Sequence, residues 1–225
     1  MKRETTQITA EQIAVQMDYC MKIHAMNAQM EHTPLAMVDT YGCQQNEADS
    51  ERLRGYLSEM GYGFTDDEIC QALFNAAAIG YLITRNATTA GAEGGCQAEV
   101  GSASAMAASA AVELFGGTPR QCMDAASFAM VNILGLVCDP IGGLVENPCQ
   151  NRNAMGASNA LISAELSLAG VKSITPIDET IGVMYAVGRS IPSELRETSL
   201  GGMAVAKSAC ENCMACANKR NKMKK

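Results

Sequence analysis

Three of the ten cysteines stand where helices are expected to begin or end. Cys96 follows Gly94 and Gly95 at the start of one helix, Cys138 closes another before Asp139 and Pro140, and Cys149 follows Pro148 at the start of a third. A cysteine kept for packing tends to lie inside a helix on its apolar face, which is where Cys20, Cys70 and Cys122 are placed. A helix N-terminus favours the thiolate over the thiol, and the thiolate is the form that binds metal. Metal ligation is therefore the chemistry this trio offers. Spacings of 42 and 11 residues match no local metal motif, so position alone leaves ligation and packing both open.

The elements that must position these residues are mainly helical. Residues 9–30 read as a helix with Thr9 as a cap and a face bearing Met17, Met21 and Met26. Leu35 to Tyr41 reads as a strand after Pro34, and Asn46 caps a helix running to about Met60, stopped by Gly61 and Gly63. From Glu68 onward helices are expected at about 69–84, 97–115, 119–136, 150–169, 178–190 and 203–220. Gly116 and Gly117 end one of them, and Thr118, Pro119 and Gln121 supply the cap, first-turn proline and capping-box partner of the next. Small residues at Gly101, Ala105 and Ala108 let helix backbones approach closely.

Composition supports a helical core and narrows the functions. Hydrophobic residues make up 48% and aromatics 4%, with no Trp, so the apolar share rests on Ala, Met, Leu, Ile and Val. The longest uncharged stretch, Ile69 to Thr84, is too short and too polar to span a bilayer. Glu4, Glu11 and Asp18 occupy the place of a signal peptide's apolar region, so a cytoplasmic location is expected, where cysteines serve as ligands, thiols or packing rather than as disulfides. The net charge of -7 is uneven: residues 1–68 carry twelve acidic against five basic residues, and the rest carry twelve of each. That shift sets the expected domain boundary, with an appendage over 1–68 and a helical domain over 69–225. The basic run at Lys219, Arg220, Lys222, Lys224 and Lys225 has no aromatic platform, so no nucleic-acid partner is expected.

The segment Asn86-Ala-Thr-Thr-Ala-Gly-Ala-Glu-Gly-Gly-Cys96-Gln-Ala-Glu-Val-Gly-Ser-Ala, followed by Leu134-Gly-Leu-Val-Cys138-Asp-Pro-Ile-Gly-Gly-Leu-Val-Glu-Asn-Pro-Cys149, resembles the α chain of the iron–sulfur L-serine dehydratases. Ala169-Gly-Val-Lys-Ser, Ile177-Asp-Glu, Leu195-Arg-Glu-Thr and Gly201-Gly202 continue the match, which covers roughly residues 69–207. The resemblance implies a helical α domain in which Cys96, Cys138 and Cys149 hold a [4Fe–4S] cluster. Three thiolates leave one iron open as a Lewis acid for the β-hydroxyl of L-serine, whose elimination and hydrolysis yield pyruvate and ammonia. The resemblance thus implies a lyase of amino-acid catabolism and gluconeogenesis. Glu93, Glu99 and Asp139 flank the ligands; thiolate orientation and helix capping are both open for them, and the α-proton base is unassigned.

The match also departs from the family. The first half of the α chain and the β domain are missing, so a β chain or the missing α segment is expected as partner, in a homo- or hetero-oligomer. In their place Val38-Asp-Thr-Tyr-Gly-Cys43-Gln-Gln-Asn-Glu resembles the first βα unit of the tRNA methylthiotransferases, without that family's other two cluster cysteines. A methylthiotransferase fragment, or a non-catalytic iron–sulfur or zinc-binding protein, is the alternative function. In the tail, Cys210, Cys213 and Cys216 have the spacing that opens a ferredoxin-type site, with Arg220 where a fourth cysteine would stand. A labile metal site, or a tail cysteine that caps the open iron, is the reading this spacing offers. His24 and His32 lack ligand partners and are expected at the surface.

Overall fold

The computed structural model describes residues 9–31, 33–36, 51, 54–61 and 63–212. The chain divides into two compact units, Met1–Asp66 and Asp67–Lys225. In the first, helix α1 (Ala10–Asn27) opens on Thr9, which forms a full capping box with Gln12. Residues 54–59 are helical, and His24 Nδ1 and Asn27 Nδ2 reach the Glu59 and Met60 carbonyls at 3.0 and 2.8 Å. The expected βα appendage is not seen among the described residues. Residues 33–36 carry no regular structure, and Met37 to Ser50, including Cys43 and Asn46, lie outside them, as does His32.

The second unit is a helical bundle of α2 (Asp66–Asn86), α3 (Gly91–Gly94), α4 (Cys96–Leu114), α5 (Pro119–Ile133), α6 (Cys149–Leu168), α7 (Ile177–Ser190) and α8 (Lys207–Asn212). Short 3-10 turns lie at Ile141–Gly143, Ser193–Leu195 and Gly202–Val205. The acidic cluster Asp66, Asp67 and Glu68 forms the first turn of α2, where negative charge complements the helix dipole. α4 is the central element, packed against α3, α5, α6 and α7. Its small side chains explain that place, since Ala98, Ala105 and Ala108 are fully buried and let four neighbours approach. Ile79 and Ile83 of α2, Met130 of α5, and Ile181 and Met184 of α7 fill the same core. Polar residues fix the register: Asn159 Nδ2 donates to Ser104 Oγ and to the Ala129 carbonyl, both at 2.8 Å, and so ties α6 to α4 and α5. Thr118 and Gln121 form the expected capping box of α5.

Four local expectations are corrected. The helix expected over 119–136 stops at Ile133, because the chain turns through Gly135 at φ 87. Cys138 thus lies in an extended segment, bridged in parallel to Arg196, rather than at a helix end. The helix expected over 203–220 is broken at Ala206, whose extended backbone (φ -60, ψ 138) separates the 3-10 turn from α8. Cys70 is exposed, whereas Cys20 and Cys122 are buried as expected. No helix among the described residues is long and apolar enough to cross a membrane.

Candidate metal centre

The site begins with two turns of chain that fold onto each other. Gly95 sits at φ 77 between α3 and α4, and a Cβ there would stand 2.7 Å from the Leu136 carbonyl oxygen. That close approach lets Gln97 N donate to the same carbonyl at 2.9 Å, which lays residues 134–138 across the start of α4. Gln97, 1% exposed, pins the junction: Nε2 donates to the Met184 carbonyl at 2.9 Å, and Oε1 accepts from Gly135 N at 2.8 Å. Cys138 N then donates to the Leu195 carbonyl at 2.8 Å, and Glu197 N to the Cys138 carbonyl at 2.7 Å.

The consequence is that Cys96 and Cys138, distant in sequence, meet. One ligand atom from each, with one from Glu99, all lie within 4.8 Å of one another. Cys96 and Cys138 are 1% and 3% exposed, while Glu99, one turn along α4, faces outward. A Cβ at Gly91 would stand 3.0 Å from Glu99 Oε2 and 3.2 Å from Cys138 Sγ, so this glycine leaves the group its space. The two thiols act as one acid. A hydrogen bond from Cys138, opposed by burial and aided by Arg152, lowers Cys96 to about 7. The same hydrogen bond, then burial, pushes Cys138 well above the usual thiol range. The pair releases a first proton readily and a second only with difficulty.

Cys149 is the first residue of α6 and is partly exposed. It stands outside the group of three, but the charges of Cys96 and Glu99, after burial itself, raise its thiol. Of the three expected ligands, the structure therefore brings two into contact and sets the third within their electrostatic reach. Cys210, Cys213 and Cys216 contribute no described side chain. Glu93 gives only its backbone carbonyl, which accepts from Arg196 Nη1 at 3.3 Å.

Two residues that sequence reasoning passed over complete the site. Arg152 Nη1 donates to the Val137 carbonyl at 2.9 Å and to Cys96 Sγ at 3.7 Å. The same nitrogen lies 2.7 Å from Asp139 Oδ1, an ion pair outside directed hydrogen-bond geometry. Burial alone would lower Arg152, but Asp139 and Cys96 outweigh it and hold the guanidinium charged. Asp139 is 2% exposed, and its Oδ2 accepts from Met203 N at 2.6 Å. Asp139 caps no helix of its own segment; it serves an N–H in the first turn of the distant 3-10 turn Gly202–Val205. It anchors the arginine beside the sulfur. The signal in the sequence was Arg152's place three residues after Cys149, on the same face of one helix. Glu197 is the second: its charge raises Cys138, and its backbone holds a left-handed φ of 64.

The donor set fits a thiophilic metal group. Two buried sulfurs, one of them readily ionised, lie against a fixed cation, with a third cysteine near and a carboxylate at the rim.

Comparison with known proteins places this arrangement. A sequence model of the family described as serine dehydratase alpha chain matches residues 53–204. The probable L-serine dehydratase, alpha chain, of Bacillus subtilis (strain 168) is 55% identical over 140 residues, which cover 62% of this chain and 47% of that protein. The L-serine dehydratase, alpha chain, of Peptoniphilus asaccharolyticus is 56% identical over 146 residues, 65% of this chain and 50% of that one. The probable L-serine dehydratase, alpha chain, of Latilactobacillus sakei is 58% identical over 132 residues, 59% of this chain and 63% of that one. The chain thus spans about half the length of the first two relatives. With Cys96 and Cys138 brought close beside the start of the central helix, inside the matched region, the chain belongs to the serine dehydratase alpha chain family.

Proposed function

We propose that this chain is the cluster-bearing part of an L-serine dehydratase, which eliminates water from L-serine to give pyruvate and ammonia together with a partner that completes the substrate pocket. The observation that carries it is the contact of Cys96 and Cys138, both buried, within the region matched to the family. Cys96, Cys138 and Cys149 would hold a [4Fe–4S] cluster. When bound, such a cluster with one iron free of cysteine supplies a Lewis-acid position that makes a hydroxyl a better leaving group. The chain's own part is to anchor and to shield. The Gln97 staple holds the segment carrying Cys138 against the helix carrying Cys96, so the two sulfurs present a fixed pair. Leu136, Val100 and Ile133 pack around them and keep water from one side. Arg152 balances the negative charge gathered on sulfur. Names given to the relatives as alpha chains support a partner chain, which would complete the substrate pocket. A cytoplasmic setting, where thiols stay reduced, suits this site.

A second reading has its own support. Glu99 and the two sulfurs lie close enough to share a single zinc ion, which would make a non-catalytic metal site. Nothing in the described residues supports a methylthiotransferase fragment. Anaerobic reconstitution with iron and sulfide, followed by addition of the partner and L-serine, separates the readings. Pyruvate formation that tracks the cluster supports the dehydratase. A colourless protein with one tightly held zinc and no pyruvate overturns it.

A further inference from the structure

We propose that Arg152 is a positioning residue of the metal centre, whose guanidinium donates to the Cys96 sulfur and thereby sets how tightly, and with what electron density, that sulfur holds a metal. The proposal rests on the metal-centre reading above and deepens it. Three groups converge on one nitrogen: the Val137 carbonyl at 2.9 Å, the Asp139 carboxylate at 2.7 Å and Cys96 Sγ at 3.7 Å. The first two partners fix the arginine so that the third contact follows. Asp139 cannot turn away, since Met203 N holds its other oxygen at 2.6 Å. Releasing Arg152 would leave a buried carboxylate unpaired beside a thiolate, which is costly. The arginine also joins the three cysteine-bearing segments. It rises from the first turn of α6, three residues after Cys149, spans to the extended segment of Cys138 through Val137 and Asp139, and ends at Cys96 on α4.

An N–H donated to a thiolate draws electron density from sulfur and fixes its direction, and outer-shell partners of this kind are worth about 10-fold to 100-fold in metal affinity. Lysine keeps the charge but ends in a freely rotating ammonium on a different stem, without the rigid plane that fixes the direction of the N–H aimed at the sulfur.

Cobalt(II) titration of the metal-free full-length chain, read through its sulfur-to-metal charge-transfer band, tests this without reference to turnover. The Arg152→Gln variant is expected to bind cobalt about 10-fold to 100-fold more weakly and to move the band to longer wavelength. Arg152→Lys should recover part of the affinity but not the band position, and Asp139→Asn should fall between Gln and wild type. Circular dichroism on the same samples accounts for folding. If Arg152→Gln is unstable, the lysine and asparagine variants carry the test by band position alone. A wild-type chain that shows the band while all three variants match it in affinity and wavelength overturns the role of Arg152 and leaves the metal centre standing. A wild-type chain with no thiolate–cobalt band overturns the metal centre itself, and this proposal with it.

Discussion

Replacing Gln97 by methionine removes an amide while nearly keeping its shape, and the structure gives the cost. The amide satisfies two backbone groups, the Met184 carbonyl at 2.9 Å and Gly135 N at 2.8 Å, in a place where the side chain is 1% exposed. Methionine can pair with neither. A net hydrogen bond is worth about 0.5–1.5 kcal/mol. The Met184 carbonyl lies mid-helix in α7 and keeps its intrahelical partner, and Gly135 at its exposed turn can reach water, so the expected loss is about 1–3 kcal/mol. With a urea dependence of about 1–3 kcal/mol per molar for a domain of this size, the midpoint should fall by roughly 0.5–1.5 M. Urea unfolding of the metal-free chain, followed by circular dichroism in the transition that carries most of the helical signal, measures it. Cobalt binding should weaken in parallel, because the released segment carries Cys138. A midpoint within experimental scatter of wild type would mean that the junction does not depend on this staple, and the reasoning that links Gln97 to the meeting of the cysteines would fail.

The thiol pair makes stability depend on pH. Cys96, lowered from 9.0 to about 7, adds stability that is present above pH 9 and is lost as pH falls through about 7. Cys138 is raised, so stability declines again as pH climbs above 9, with Cys122 and Cys149 adding to the decline. Urea midpoints of the metal-free protein between pH 6 and 10 should thus pass through a maximum near pH 9, which Cys96→Ser removes. Gly202→Ala would drive a Cβ into the Asp139 carboxylate at a φ of 62. That variant should lose about 1–3 kcal/mol and weaken cobalt binding, whereas Gly63→Ala, with open space around it, should leave cobalt binding unchanged. Thr118→Ala removes the capping box of α5 and should lower stability by about 1 kcal/mol, read by the same unfolding assay, with cobalt affinity unaltered.

Much of the helical frame was legible because its punctuation is local. Thr118, Pro119 and Gln121 announce the start of α5, and Gly94-Gly95 and Pro148 place Cys96 and Cys149 at the first residues of α4 and α6. Cys138 was legible as a candidate but not in its setting. Its neighbour is Arg196, and a bridge between segments so distant in the chain leaves no local pattern; Leu134, Leu136 and Val137 instead extend the apolar run of α5 and invite a longer helix. Asp139 shows the same limit. Beside Pro140 it reads as a cap, yet its partners are Arg152 and Met203, brought to it by the tertiary fold. The break at Ala206 was hidden because the run Met203-Ala-Val-Ala-Lys contains only residues a helix accepts.

We propose that Cys96, Cys138 and Cys149 together hold an iron–sulfur cluster. Iron and acid-labile sulfide, counted per chain after anaerobic reconstitution of the wild type and of Cys96→Ser, Cys138→Ser and Cys149→Ser, test it most directly. Iron and sulfide are expected in equal amounts, close to four of each per wild-type chain, with both falling sharply in every single variant. Retention of the wild-type iron and sulfide content by any one of the three variants would contradict it.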